Sequence, residues 1–215
     1  MTTEIGSRAE IMAWRKAERQ RLISLRLTLS SMERRTAAAC IAASLDRLIG
    51  PLAGRILSFY WPLRGEPDLR PWFSDFTGEN GWASLPVVVS RNAPLVFRTW
   101  CRGEKLMPGV WNIPCPQQGR VVVPDIVIVP VVGFDDACFR LGYGGGYFDR
   151  TLAAINPRPV VIGVGYELAY LPTIHPLSHD VPMGAIVTEQ RVLRPHNDVA
   201  QLRDGEHLPE VEMGA

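Results

Sequence analysis

Strong charge of either sign is missing from this 215-residue chain, in which 23 Lys and Arg stand against 22 Asp and Glu. Domains that grip nucleic acid over an extended surface are usually strongly basic, so no nucleic-acid partner is expected at a net charge of +1. Long apolar runs are missing too. None approaches the roughly 20 residues that cross a bilayer, and Met1 to Glu10 lacks the apolar core of a secretory signal. A cytoplasmic protein without a membrane partner is therefore expected. Cysteine is sparse: Cys40, Cys101, Cys115 and Cys138 are widely spaced and form no CxxC pair, so neither a zinc knuckle nor a redox motif is spelled and reduced thiols are expected. No HExxH pattern occurs. His175 and His179 have i, i+4 spacing, but Pro172 and Pro176 break a helix there, which leaves them in loop structure. Internal repeats, low-complexity tracts and any Ser/His/Asp or Cys/His constellation are also absent.

What is present is enough apolar material, 47% of residues, for one substantial core. A single domain over residues 1–195 is expected, followed by a loosely held tail over 196–215, where few apolar anchors occur. Helical periodicity runs from Glu10 to Leu29 through Ile11, Trp14, Leu22, Leu25 and Leu29, and Ser30 or Ser31 caps a second helix ending near Ile49. Strand-like segments follow at 55–60, 82–89, 95–100, 126–132, 160–165 and 185–187, with a short helix over 68–76 that holds Pro71 in its first turn. The unbroken Val/Ile runs at 126–132 and 160–164 suit strands covered on both faces. Together these predict a three-layer αβα sandwich with a mostly parallel central sheet, preceded by two N-terminal helices. Residues 101–120, rich in Pro and Gly, predict a long loop of the kind that serves as a lid or binding loop.

The densest signal is Arg140-Leu141-Gly142-Tyr143-Gly144-Gly145-Gly146-Tyr147-Phe148-Asp149-Arg150. Four glycines in five positions let backbone amides turn inward and approach an anion closely. A strand before the loop and a helix from Tyr147 to Ile155 after it would aim free N–H groups and a positive dipole at the same point. The loop is not a dinucleotide fingerprint, which needs glycine where Tyr147 stands, nor a P-loop, which needs Gly-Lys-Ser/Thr after its glycines. It is bracketed by Arg140, whose planar donor fork suits phosphate oxygens, and by Asp149, whose carboxylate suits magnesium. A metal-bound nucleoside triphosphate is the ligand this pattern points to, against the plain alternative of a glycine-rich surface turn.

These residues resemble the signature of the 5-formyltetrahydrofolate cyclo-ligase family, also called 5,10-methenyltetrahydrofolate synthetases. The resemblance runs from about Arg15 to about Glu189. It takes in the basic helix leading to Arg26-Leu27-Thr28-Leu29-Ser30, the segment Tyr60-Trp61-Pro62 to Glu66, Leu85-Pro86, Trp111-Asn112-Ile113-Pro114, Gly133-Phe134-Asp135 before the glycine loop, and His179-Asp180-Val181-Pro182 leading to Thr188-Glu189.

What the resemblance implies is specific. ATP would be bound by Arg15, Lys16 and Arg19 on the first helix, and by Arg140, Leu141, Gly142, Tyr143, Gly144, Gly145, Gly146, Tyr147 and Phe148 in the loop. Folate, with or without further glutamates, would meet Trp61, Glu66 and Trp111 together with Tyr143 to Tyr147; Glu66 would accept the pterin N–H groups, and the aromatic rings would wall it. Asp149 and Asp180 would hold Mg²⁺, while Arg140 and Tyr147 take the catalytic positions. The implied reaction is ATP- and Mg²⁺-dependent cyclisation of 5-formyltetrahydrofolate to 5,10-methenyltetrahydrofolate, with ADP and phosphate released and no protein nucleophile, by a monomer. Two departures stand out: Arg15 replaces the family's Lys, or Lys16 substitutes for it from the next position, and Gly184 replaces a second acid that many relatives carry four positions after Asp180. Since a fold does not fix a function, a sugar-phosphate isomerase or CoA-transferase-like enzyme, and a non-catalytic folate or nucleotide binder, are the competing expectations.

Overall fold

The computed structural model describes residues 6–74 and 82–195. Two long helices come first, α1 (Arg8–Leu27) and α2 (Ser31–Ile49). Each begins at a serine, Ser7 or Ser30, whose side chain accepts from the N–H three residues on while a glutamate there reaches back to the serine N–H. This reciprocal cap satisfies two donors that a helix start otherwise leaves unpaired. It also explains why α1 starts at Arg8 rather than Glu10: Glu10 belongs to the cap. Helix α2 stops at Gly50, whose φ of +65° is a left-handed value that suits glycine.

Twelve strands follow among the described residues: β1 (Ile56–Ser58), β2 (Trp82–Val87), β3 (Val96–Thr99), β4 (Leu106–Pro108), β5 (Pro114–Pro116), β6 (Val121–Val122), β7 (Ile126–Pro130), β8 (Gly133–Phe134), β9 (Arg140–Leu141), β10 (Val160–Val164), β11 (Ala185–Val187) and β12 (Val192–Leu193). Helix α3 (Arg70–Ser74) lies between β1 and β2, and α4 (Tyr147–Ala154) between β9 and β10. Eight strands form one sheet in the order β12-β11-β10-β7-β1-β2-β3-β6. The five in the middle, β11 to β2, are mutually parallel, while β12 and β3 pair antiparallel at either side and β6 pairs antiparallel to β3.

Residue alternation divides the core. Ile126, Ile128, Ile162, Val164, Leu57 and Leu85 point to the face covered by Ile41 and Leu45 of α2 and Phe73 of α3. Val127, Val129, Val161 and Ile186 point to the other, covered by Leu152 of α4 and by Phe134, Cys138 and Met183. Strands buried on both sides read as unbroken aliphatic runs, as β7 and β10 do. A third cluster joins α1 to the sheet through Leu22, packed with Val132, Leu141, Leu171 and Ile174. Since Val132 follows the end of β7 and Leu141 ends the β8/β9 hairpin, α1 lies across the carboxyl ends of the parallel strands. Open α/β sheets bind ligands at that edge.

Several boundaries differ from the sequence expectation. The stretch 101–120 is not wholly loop: β4 and β5 pair as a hairpin around a 3₁₀ turn at Val110–Asn112. Proline and glycine lowered its strand signal, yet Pro108, Pro114 and Pro116 all sit in a two-stranded ribbon, where few ladder donors are needed. The run 126–132 breaks after Pro130 to start β8, and β3 is antiparallel, as a short return allows. Helix α3 is described over Arg70–Ser74; the last two expected positions, 75 and 76, fall outside the described residues, as does the tail over 196–215.

Candidate functional site

Helix α1 turns one face inward at Arg15, Arg19, Leu22 and Arg26. Arg15, only 3% exposed, donates from Nη2 to Asp180 Oδ2 at 2.8 Å. The same carboxylate oxygen accepts from the Leu177 N–H at 2.6 Å. Arg15 Nε is buried without a protein partner. One turn on, Arg19 Nε donates to the Gly142 carbonyl at 2.8 Å, and its guanidinium lies against Gly144. Burial, and then the like charge of Arg15, hold the Arg19 pKa below its ordinary value. Lys16 is on the exposed side of the helix and makes no hydrogen bond or ion pair among the described residues.

Arg140 comes to the same place from β9. It is 6% exposed and donates to the Val181 carbonyl and to Asp149 Oδ1, both at 2.9 Å. Asp149, in the first turn of α4, also accepts from the Val181 N–H at 3.3 Å. Val181 therefore ties Asp149 to the segment that carries its own neighbour Asp180, 31 positions away in the chain. Burial pulls the Arg140 pKa down, with Asp149 opposing that effect.

Between them runs the glycine loop. Gly144 and Gly146 hold φ of +94° and +63°, where a side chain is strained, and Gly146 is the N-cap of α4. The Gly142 and Gly145 carbonyls are turned onto Arg19 and Arg150, the latter at 2.7 Å. No protein acceptor takes the N–H of Gly144, Gly145 or Gly146 among the described residues. Carbonyls pulled outward and amides left open, at a helix start beside three arginines, make an anion cradle. Leu141 and Phe148 are anchors: Leu141 is wholly buried and Phe148 packs on the core below α4, so only their backbones face the loop.

A second cluster of buried polar groups is joined to the loop through Tyr143. Glu66, 5% exposed, accepts from the Leu63 N–H at 2.8 Å and from the Tyr143 hydroxyl at 2.9 Å. Burial pushes its carboxyl up to about 7, against the pull of the Arg26 charge. Arg26, 3% exposed, donates to the Arg64 carbonyl at 3.1 Å and to the Tyr143 hydroxyl at 2.8 Å. Sequence reasoning did not single out Arg26 as a site residue. Its signal was position: residues 15, 19, 22 and 26 share one helical face with buried Leu22.

The aromatic residues divide. Trp111 stands on the 3₁₀ turn with φ +55° and, 63% exposed, meets the Tyr147 ring edge-on at 5.6 Å. Arg150 covers another side of Tyr147 at 5.0 Å. Trp61 is elsewhere. It lines an open recess of about 590 Å³ with Arg70, Trp72, Trp100 and Arg102, and none of the glycine-loop residues lines that recess. Its ring is held by Arg70 at 5.1 Å and by Trp100 at 6.4 Å. His175 and His179 are in loops as expected, and Asp135 caps a turn by accepting from the Phe139 and Ile174 N–H groups.

The model of the 5-formyltetrahydrofolate cyclo-ligase family matches residues 11–189, most of the chain and every residue of this site. The chain belongs to that family. It is 35% identical over 137 residues to the 5-formyltetrahydrofolate cyclo-ligase of Escherichia coli K12, covering 60% of this chain and 74% of that one. To the Haemophilus influenzae enzyme of the same name it is 25% identical over 181 residues, covering 79% and 94%. The solution structure of Aquifex aeolicus 5,10-methenyltetrahydrofolate synthetase superposes with a TM-score of 0.74 at 27% identity, over 94% of this chain and 99% of that one. The Mycoplasma pneumoniae synthetase shares the fold at a TM-score of 0.67 and 22% identity, over 81% and 98%.

Within a cyclo-ligase, the fit of a divalent cation is testable on the donor set. Asp149 and Asp180 each give one oxygen to an arginine and a backbone N–H, and keep the other clear of any protein hydrogen bond. No group of three or more His, Cys, Asp or Glu side chains suited to a metal exists among the described residues. Two carboxylates alone make a poor calcium cage, but suit magnesium, which takes one or two carboxylates and fills its shell with phosphate oxygens and waters.

Proposed function

We propose that the glycine loop, Arg15, Arg19 and Arg140 hold the triphosphate, and that the Glu66 pocket beside them holds the pterin, in the reaction of the family to which this chain belongs. That reaction is the ATP-dependent closure of 5-formyltetrahydrofolate to 5,10-methenyltetrahydrofolate. The observation that carries the proposal is the meeting of Arg19, Arg140 and Arg15 around a loop whose amides have no protein acceptor.

The chemistry asks little of the protein beyond placement. A formyl amide resists attack by N10 because its oxygen leaves poorly. Transfer of the γ-phosphoryl group to that oxygen releases ADP; N10 then adds to the formyl carbon, a proton is lost, and the oxygen departs with inorganic phosphate. The substrate supplies its own nucleophile, which accounts for the missing catalytic Ser or Cys. Alignment of the formyl oxygen with the γ-phosphate, and neutralisation of spreading charge, are what the loop amides and Arg140 contribute. Asp149 and Asp180 would hold Mg²⁺, which would supply positive charge against that of the triphosphate. The two arginines that pair with these aspartates are then available to turn to phosphate. Tyr147 and Trp111, already in edge-to-face contact, would wall the folate.

The isomerase and transferase alternatives require a catalytic carboxylate or Lys at the loop. Asp149 is paired with Arg140, and Lys16 faces solvent, so neither alternative has a supporting observation. One assay separates the cases: 5-formyltetrahydrofolate, ATP and Mg²⁺ are mixed with the protein and methenyl absorbance is followed, with ATP or Mg²⁺ omitted as controls. Formation that needs both supports the proposal. Formation without ATP, or binding of both ligands without turnover, contradicts it. The reading extends to a monomer acting in the cytoplasm on mono- or polyglutamylated folate, to be checked by light scattering, cell fractionation and a series of glutamate chain lengths.

A further inference from the structure

The Glu66 pocket is already occupied by the protein itself. Both carboxylate oxygens have partners, Oε2 the Leu63 N–H and Oε1 the Tyr143 hydroxyl. The Tyr143 hydroxyl sits at a three-way junction, accepting from Arg26 Nη2 at 2.8 Å and standing 3.3 Å from the Leu63 carbonyl. Yet Tyr143 as a whole is 42% exposed while Glu66 is 5% exposed. Its hydroxyl is tied to buried Glu66 and Arg26 while the residue keeps access to solvent, the posture of a stopper. Close to the same charges, the buried Tyr166 hydroxyl has no protein hydrogen-bond partner. A buried hydroxyl left unpaired is costly.

We propose that Tyr143 is a displaceable occupant of the Glu66 pocket, its hydroxyl holding on Oε1 the position that a ligand N–H donor takes, so that folate enters by turning Tyr143 out. Tyr143 is also part of the glycine loop, between Gly142, which Arg19 holds, and Gly144 at φ +94°. Its displacement is therefore felt where the triphosphate binds, and the pterin and phosphate pockets are coupled through one side chain. The permissive backbone on its far side gives the ring room to swing without moving β9. This inference rests on Glu66 being the pterin acceptor.

The test is the affinity for 5-formyltetrahydrofolate without ATP, by calorimetry at pH 8.5, where Glu66 is ionised, for the native protein, Tyr143→Phe and Glu66→Gln. Phe keeps the ring and removes the competing hydroxyl. A net hydrogen bond corresponds to about two- to tenfold in an equilibrium, so Tyr143→Phe is expected to bind folate about two- to tenfold more tightly. A merely structural tyrosine would give weaker binding. Unchanged or weaker binding in Tyr143→Phe, together with weakened binding in Glu66→Gln, overturns the stopper and leaves the Glu66 assignment standing. Unchanged binding in Glu66→Gln overturns the assignment and the stopper with it. Thermal melting of each variant verifies that it is folded, and Tyr143→Leu, which removes ring and hydroxyl together, gives a second route to the same gain.

Discussion

Replacing Glu66 by Gln should change the pH dependence of stability in a way that only a buried carboxyl produces. Burial raises the Glu66 carboxyl from the ordinary 4.5 to about 7, so the folded protein keeps a proton that the unfolded chain gives up. The sign follows from linkage. Between about pH 4.5 and 7 the unfolded state binds fewer protons, and stability from this group is lost as pH rises through that window, then levels off. At roughly 1.4 kcal/mol per pH unit the gap corresponds to about 3 kcal/mol. Gln is isosteric and cannot ionise, so it escapes this penalty, though its amide meets the Leu63 N–H unfavourably at one of two orientations. Urea unfolding of the native protein and Glu66→Gln at half-unit steps from pH 4.5 to 8.5 gives the difference directly. The native protein is expected to lose ground to the variant progressively up to about pH 7, by an amount on the order of 3 kcal/mol, and to hold a constant deficit above it. A difference that is flat across the whole range would refute burial as the origin of the shift. The same carboxylate must be ionised to accept pterin N–H groups, so folate affinity should fall as pH drops through about 7 in the native protein and show no such dependence in the variant.

Other perturbations act on the phosphate side. Arg140→Ala removes the donor fork between Asp149 and Val181, and kcat should fall by on the order of 10² to 10³ while circular dichroism still reports a cooperative melt; turnover near the native rate would reject Arg140 as a phosphate ligand. Gly145→Ala puts a Cβ 2.9 Å from the Tyr147 ring, and displacing that ring should cost on the order of 10² in kcat/KM. Because Gly145 has no positive φ, the loss should arise without a matching fall in melting temperature. Asp149→Asn leaves the size of the side chain but weakens its hold on a hard cation. Titration of ATP binding against Mg²⁺ should show a higher Mg²⁺ requirement, and an unaltered titration would remove Asp149 from the metal site.

How far the fold could be read from the sequence varied with the physical signal. The helices and the parallel centre were legible because period and composition agree there: β7 and β10 are aliphatic without interruption, and Ser30 stands at the N-cap of α2. Two-residue strands such as β8, β9 and β12 carry too few side chains for any period to register, and the prolines of β4 and β5 disguised a hairpin as loop. The site was legible where residues are contiguous, as in the glycine loop. It was less so where the fold supplies the neighbour. That Val181 ties Asp149 to the segment that carries Asp180, or that Tyr143 reaches Glu66 across 77 positions, leaves no mark in local spacing. For Trp61 and Lys16 the structure adds only that Trp61 lines a recess with Arg70 and Trp100 and that Lys16 is exposed.

The central claim is that the γ-phosphoryl group meets the formyl oxygen at the glycine loop. It is tested most directly by carrying out the reaction with 5-formyltetrahydrofolate labelled with heavy oxygen in the formyl group and weighing the released phosphate. Transfer to that oxygen predicts one labelled atom in each inorganic phosphate, formed in step with methenyl product. Label found in water, with unlabelled phosphate, would contradict the account.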